Sequence, residues 1–213
     1  QAGSPIAIGA PLAGERERPC EVVTPAWTDG QLRRLESLLE PARDLGFRLA
    51  AESATHIHFD AEELCNTQTI ANLVETLNTH GALLKRLFRT NPRCRLLGPW
   101  PDALMDCVRR PGFRGLPWSR ARLALQQTGL QKNCDFNLKN LAFGYTDKLT
   151  FELRILPGEL HAEPVILAGR LFAAVLRLCQ SPEGQNAADM GPGGLIDALD
   201  LPADEKEFWR ART

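Results

Sequence analysis

Thr55-His56-Ile57-His58-Phe59-Asp60 places two imidazoles and a carboxylate on one face of any strand it forms. Strand side chains alternate, so His56, His58 and Asp60 project one way and Ile57 and Phe59 the other. Imidazoles so placed either line a solvated surface, hold a divalent metal with carboxylate help, or steady phosphate charge. Lys148 to Ile155 alternates in the same manner, setting Thr150, Glu152 and Arg154 opposite Leu149, Phe151, Leu153 and Ile155. A Glu and an Arg on one strand face form a surface ion pair worth about 0–1 kcal/mol. Their other use is a metal-holding carboxylate beside an anion-holding guanidinium, which phosphoryl transfer requires. A third run, Cys134 to Lys139, alternates too and offers Asp135 and Asn137. The short separation of the last two runs predicts that they pair. With all three in one sheet, the polar faces assemble a site opposite a common core.

The remaining chain supplies the elements that must hold this sheet. Residues 1–18, with Gly, Pro and the run Glu15-Arg16-Glu17-Arg18, are expected to form an irregular arm. Pro19 to Thr24 is a short strand ended by Pro25. A helix capped by Thr28 or Asp29 then carries Leu32, Leu35, Leu38, Leu39, Ala42 and Leu45 at helical spacing, with Pro41 expected to kink or interrupt it. Gly46 suits the C′ position before a strand at Phe47 to Ala51. The longest helix, Thr67 to Arg89, has the inward stripe Ile70, Val74, Leu77, Gly81, Leu84 and Phe88. Further helices are expected at Pro101–Arg109, Trp118–Thr128 and from Glu163-Pro164 onward. A turn or strand is expected at Leu141–Asp147, and a Gly/Pro loop with two short helices in 181–213. Without strict βαβ alternation, the class is α+β with a largely antiparallel sheet.

Bulk properties narrow the function. The 213 residues can bury one full core, and 44% hydrophobic and 24% charged residues suit an ordinary soluble domain. A net charge of −1 gives no basic excess for nucleic acid or membrane surfaces, and no apolar run approaches the roughly 20 residues of a membrane span. The six cysteines form no Cys-x-x-Cys, and most are expected as buried thiols in the reducing cytoplasm. The first residue is Gln1, not Met, so further sequence is expected upstream. His-x-His also opens metal hydrolase sites, for which His80 and His161 are the further histidines available.

The order of motifs resembles the amidoligase family, the carboxylate–amine ligases of the glutamine synthetase and glutamate–cysteine ligase superfamily. The motifs are Cys20-Glu21-Val22-Val23-Thr24-Pro25, Thr55-His56-Ile57-His58-Phe59, a long helix ending Arg89-Thr90-Asn91-Pro92-Arg93-Cys94, Phe136-Asn137-Leu138 and Thr150-Phe151-Glu152-Leu153-Arg154. The resemblance covers residues 19–180 as a catalytic domain. It implies a curved antiparallel sheet forming a half-funnel, helices on its convex face, and ATP with Mg²⁺ on the concave face. It implies amide formation through an acyl phosphate, from small-molecule or peptide carboxylates and amines. By motif match, His56, Glu152 and Glu21 are expected as metal ligands. His58, Arg154 and Asn137 would bind nucleotide, Arg154 and Glu152 would serve catalysis, and Arg89 would reach substrate. Asp60 has no counterpart and is expected to start the turn into the next helix. The family's first strand carries Gly-x-Glu-x-Glu, which only Gly14-Glu15-Arg16-Glu17 resembles here, four residues before Glu21. That departure keeps a second reading in view, a binding protein with a reduced metal set. The His-x-His hydrolase is the third. The arginines of 91–132 either attract an acidic substrate or form a solvated surface.

Overall fold

A computed structural model describes residues 8–11, 20–28, 34–94, 96–145 and 148–213. Strands β1 (Ile8–Pro11) and β2 (Cys20–Val23) form a two-stranded antiparallel sheet with Ala10 opposite Glu21. Helix α1 (Arg34–Asp44), strand β3 (Ala54–Asp60) and the long helix α2 (Thr67–Leu87) follow. Helices α3 (Asp102–Arg109) and α4 (Trp118–Gln126) flank a 3₁₀ turn at Phe113–Gly115. Next come β4 (Phe136–Asn137), α5 (Lys139–Phe143), β5 (Thr150–Pro157) and α6 (Ala162–Gln180). A 3₁₀ run at Pro182–Asp189 leads to α7 (Pro192–Ala198) and α8 (Ala203–Arg210). No helix among the described residues is long and apolar enough to cross a membrane.

The three alternating runs share one antiparallel sheet, ordered β3-β5-β4. Central strand β5 pairs on both sides, with Glu152 opposite His58 on β3 and Asn137 on β4. Its residues Phe151 to Leu156 are all buried. A register shift between Thr55 and Ile57 interrupts the β3 ladder beside His56.

The apolar face of this sheet is closed by α6. Phe172 meets one phenylalanine from each strand: Phe59 at 5.5 Å, Phe151 at 5.6 Å and Phe136 at 5.9 Å between ring centroids. Two of these contacts are near-parallel stacks, at 15° and 14°. A single ring therefore spans the sheet and ties its strands to the helical layer. Helix α2 packs beside α6, burying Ile70, Val74, Leu77 and Leu84 at helical spacing. Asn66 caps it, its side-chain oxygen accepting from the Gln68 and Thr69 N–H groups.

Several elements depart from expectation. Ile8–Pro11, within the expected irregular arm, is a strand because β2 offers it a ladder. Pro41 lies inside α1 without interrupting it, three residues before the helix ends at Asp44, so few helical bonds depend on it. Phe47 to Ala51 is irregular, with Phe47 and Leu49 half-exposed and no partner strand among the described residues. The expected strand at 133–139 keeps only Phe136–Asn137 in the ladder, because α5 begins at Lys139. Leu141 and Ala142 are buried in that helix, where a turn or strand was expected.

Phe172→Ala should cost about 3–5 kcal/mol in denaturant unfolding, the usual cost of emptying a buried aromatic site. Leu123→Ala, at an exposed position of α4, should stay within about 0.5 kcal/mol. Equal losses for the two variants would refute the role given to Phe172.

Candidate functional site

Opposite the phenylalanine layer, the register brings the polar residues of three strands around one carboxylate. Glu152 Oε1 lies 2.6 Å from Arg154 Nη1, 3.2 Å from His56 Nδ1 and 3.7 Å from His58 Nε2. Asn137 Nδ2 donates to Oε2 at 2.7 Å. Glu152, Arg154 and Asn137 are 6%, 9% and 3% exposed, whereas the imidazoles of His56 and His58 keep 33% and 50% of their surface. The carboxylate thus forms a floor and the imidazoles an open wall.

Burial alone would push the Glu152 pKa up. Hydrogen bonds from His56 and Asn137, with the charges of Arg154 and His58, outweigh it and hold the pKa at about 2. The His58 pKa is lowered, because burial outweighs the attraction of Glu152. With Glu152 ionised, the His56 contact requires Nδ1–H to donate, which leaves Nε2 as a free lone pair in the neutral ring. His58 Nδ1 lies 3.2 Å from the Thr150 hydroxyl oxygen, and that oxygen accepts from Asn140 Nδ2 at 3.1 Å. Thr150 and Asn140 therefore orient His58.

A second layer braces Arg154. Its backbone N–H donates to the Asp135 carbonyl at 3.1 Å, while the Asp135 carboxylate takes Lys85 Nζ at 2.6 Å and the Gly98 N–H at 3.0 Å. Arg154 Nε is buried without a partner among the described residues. Cys134 lies beside this group, its thiol pushed up to about 11 by burial against the opposing charge of Arg154, so it stays protonated.

The structure brings together His56, His58, Glu152, Arg154 and Asn137. Glu21 is exposed on β2, outside the three-stranded sheet, and no hydrogen bond or ion pair joins it to the cluster among the described residues. Arg89 is exposed beyond the end of α2 and lines a different cavity. Asp60 starts a turn, as expected, its side chain accepting the Glu62 N–H at 2.9 Å. The Gly14–Glu17 segment lies outside the described residues. His80 is 4% exposed, with Nε2 3.0 Å from the Ala187 carbonyl oxygen, a core position. Arg114 binds Asn72 and Glu75 on α2, which removes it from the arginines available to an acidic substrate. Lys85 and Asn140 escaped sequence reasoning because each arrives from a helix whose distance from β5 no local pattern encodes.

Among the described residues no three His, Cys, Asp or Glu side chains are grouped as a metal shell. The oxygen donor that the cluster could offer a hard cation is the one buried carboxylate of Glu152, and Mg²⁺ sites commonly take one or two carboxylates and complete their shell from the substrate. The orphaned Arg154 Nε adds cationic character at the same floor.

The depressed Glu152 pKa fixes a pH dependence. An unfolded glutamate takes up its proton near pH 4.5, whereas folded Glu152 resists it down to about 2. The stabilisation, about 3 kcal/mol, is therefore complete above pH 4.5 and lost as pH falls toward 2. The unfolding free-energy difference between wild type and Glu152→Gln should shrink across that window. A difference independent of pH would contradict the ionised assignment.

Residues 8–176 match the family model described as "Putative amidoligase enzyme". Searches of curated proteins and of solved structures found no significant match. The match begins at the first residue of β1, so the family region reaches back through the hairpin into the expected arm. Spanning well over half of the chain and including every residue of the Glu152 cluster, it shows that the chain belongs to the amidoligase family.

Proposed function

We propose that the chain is an ATP- and Mg²⁺-dependent carboxylate–amine ligase whose nucleotide end is the Glu152 cluster. The observation that carries this reading is a buried, ionised carboxylate with a guanidinium, an amide and two imidazoles arranged around it on one sheet face. In this reading the three-stranded sheet is part of a half-funnel with its helices on the convex side.

When bound, ATP with Mg²⁺ supplies a phosphoryl group that activates a substrate carboxylate as an acyl phosphate, which an amine then converts to an amide. The protein's own contribution is positioning and charge. Glu152 presents a fixed negative oxygen toward the cation. His56 holds that oxygen through Nδ1, with Nε2 on the far side of its ring, and His58 stands at the open side, where phosphate oxygens can take its N–H. Arg154 balances Glu152 before the ligand arrives and supplies positive charge at the floor once the carboxylate is shared with the cation. Asn137 fixes the carboxylate plane through Oε2, so Oε1 keeps its heading. Glu21 enters this reading as a further acid from the β1–β2 sheet, and Arg89 as a substrate contact. The six free cysteines suit a reducing, cytoplasmic setting.

The location of Glu21 outside the main sheet favours one second reading, a relative that binds nucleotide without ligating. Phosphate release measured with carboxylate and amine mixtures separates the two. The ligase reading expects release that requires ATP, Mg²⁺ and both substrates, and that falls by about 10²–10³ in Arg154→Ala and Glu152→Gln. Nucleotide binding without release identifies the binding protein. Calorimetry showing no nucleotide binding with Mg²⁺ in the full-length protein overturns both.

A further inference from the structure

The C-terminal turn of α2 has the hydrogen bonds of a glycine-type cap: Thr90 N–H to the Lys85 carbonyl at 2.9 Å and Arg89 N–H to the Arg86 carbonyl at 3.1 Å. Its left-handed residue is not glycine but Arg89, at φ 53°, the one non-glycine with positive φ among the described residues. Glycine would adopt that conformation without strain. An arginine there directs attention to its side chain.

Arg89 lines a cavity of about 310 Å³ between the end of α2, the end of β5, the start of α6 and α8. That volume falls within the range of about 300–1,000 Å³ typical of small-molecule sites. Leu87, Phe88, Leu156 and Trp209 give it a buried apolar lining. Four charged residues also line it: Arg89, Arg212, Glu159 and Glu163. Among the described residues none of the four forms an ion pair, so the opposite charges face one cavity without neutralising each other. Arg212 is held in place, its guanidinium 3.5 Å from the Phe208 ring centroid and Nη1 donating to the Phe208 carbonyl at 3.3 Å. Burial lowers its pKa first and the charge of Arg89 second, which puts the two guanidiniums within each other's field.

A plain anion would answer the arginines and be repelled by the glutamates. A plain amine would do the reverse, and an uncharged ligand would use none of the four. We propose that this cavity binds a small zwitterion with an apolar side arm, of the free apolar amino acid class. Its carboxylate meets Arg89 and Arg212, its ammonium meets Glu159 and Glu163, and its side arm lies on the partly exposed lining residues Val165, Leu167 and Phe208, above the buried Leu87 and Trp209. No residue of the Glu152 cluster lines this cavity; Arg89, the substrate contact of the ligase reading, is the residue the two share, and leucine binding is tested apart from ligation.

Leucine titrated into the full-length protein, followed by the indole N–H resonance of Trp209, tests it. The control ligands are 4-methylpentanoate, which lacks the ammonium, and 3-methylbutylamine, which lacks the carboxylate. Leucine should shift the resonance saturably, with each control at least ten-fold weaker. Arg89→Gly removes the guanidinium while suiting the turn, so it should keep or raise the melting temperature and weaken leucine at least ten-fold. Glu152→Gln should leave leucine affinity unchanged, whatever it does to nucleotide. Absence of a saturable shift, controls equal to leucine, Arg89→Gly binding like wild type, or equal weakening by Glu152→Gln would each overturn the proposal.

Discussion

A buried carboxylate that must remain ionised is the constraint on which this structure turns. Glu152 is 6% exposed, and left to itself in such a place a glutamate would take up a proton. Donors from all three strands prevent that: His56 from β3, Asn137 from β4 and Arg154 from β5 itself. The charge is therefore a product of strand register. A slip of one residue in either partner strand would send its polar set to the core face and its apolar set to the site.

The opposite face holds the same register by different physics. Phe59, Phe151 and Phe136 meet Phe172 of α6, so the aromatic layer and the polar layer are two readouts of one alignment. This matters because a buried ion pair is weak support for a fold: desolvating both groups offsets much of their attraction. Apolar packing supplies the stability, and the Glu152–Arg154 pair supplies a charge arrangement fixed before any ligand comes. The Lys85–Asp135 contact and the Asp135 carbonyl extend that arrangement to α2 and to the loop at Gly98.

Most of the polar face was legible because strand periodicity is two and the apolar partners were unambiguous. His56, His58, Glu152, Arg154 and Asn137 could be put on one face from alternation alone, given the pairing of the strands. Periodicity failed where tertiary contacts decide. Phe47 to Ala51 has a strand's composition, yet among the described residues no neighbouring strand offers it a ladder. Lys139 to Phe143 comes directly after a strand pattern, and its turn to helix shows only in the fold, where the Ala142 N–H donates to the Leu138 carbonyl at 2.9 Å. The hairpin of β1 and β2 was half visible, since Cys20–Val23 alternates but Ile8–Pro11 contains Gly and Pro. Alternation puts Thr150 on this face too, whereas Asn140 and Lys85 act through distances that no spacing in the chain records. Membership of the amidoligase family was legible from motif order, whereas the position of Glu21 relative to Glu152 required the fold.

The central claim is that a nucleotide-bound cation meets the protein at Glu152, between His56 and His58. The chain has four histidines, two in the cluster and two, His80 and His161, elsewhere. Ring-proton NMR with Mn²⁺ in place of Mg²⁺ and a non-hydrolysable ATP analogue therefore carries its own control. The account predicts paramagnetic broadening of His56 and His58 that requires the nucleotide, spares His80 and His161, and disappears in Glu152→Gln. Broadening spread evenly over the four rings, or undiminished in Glu152→Gln, would contradict it.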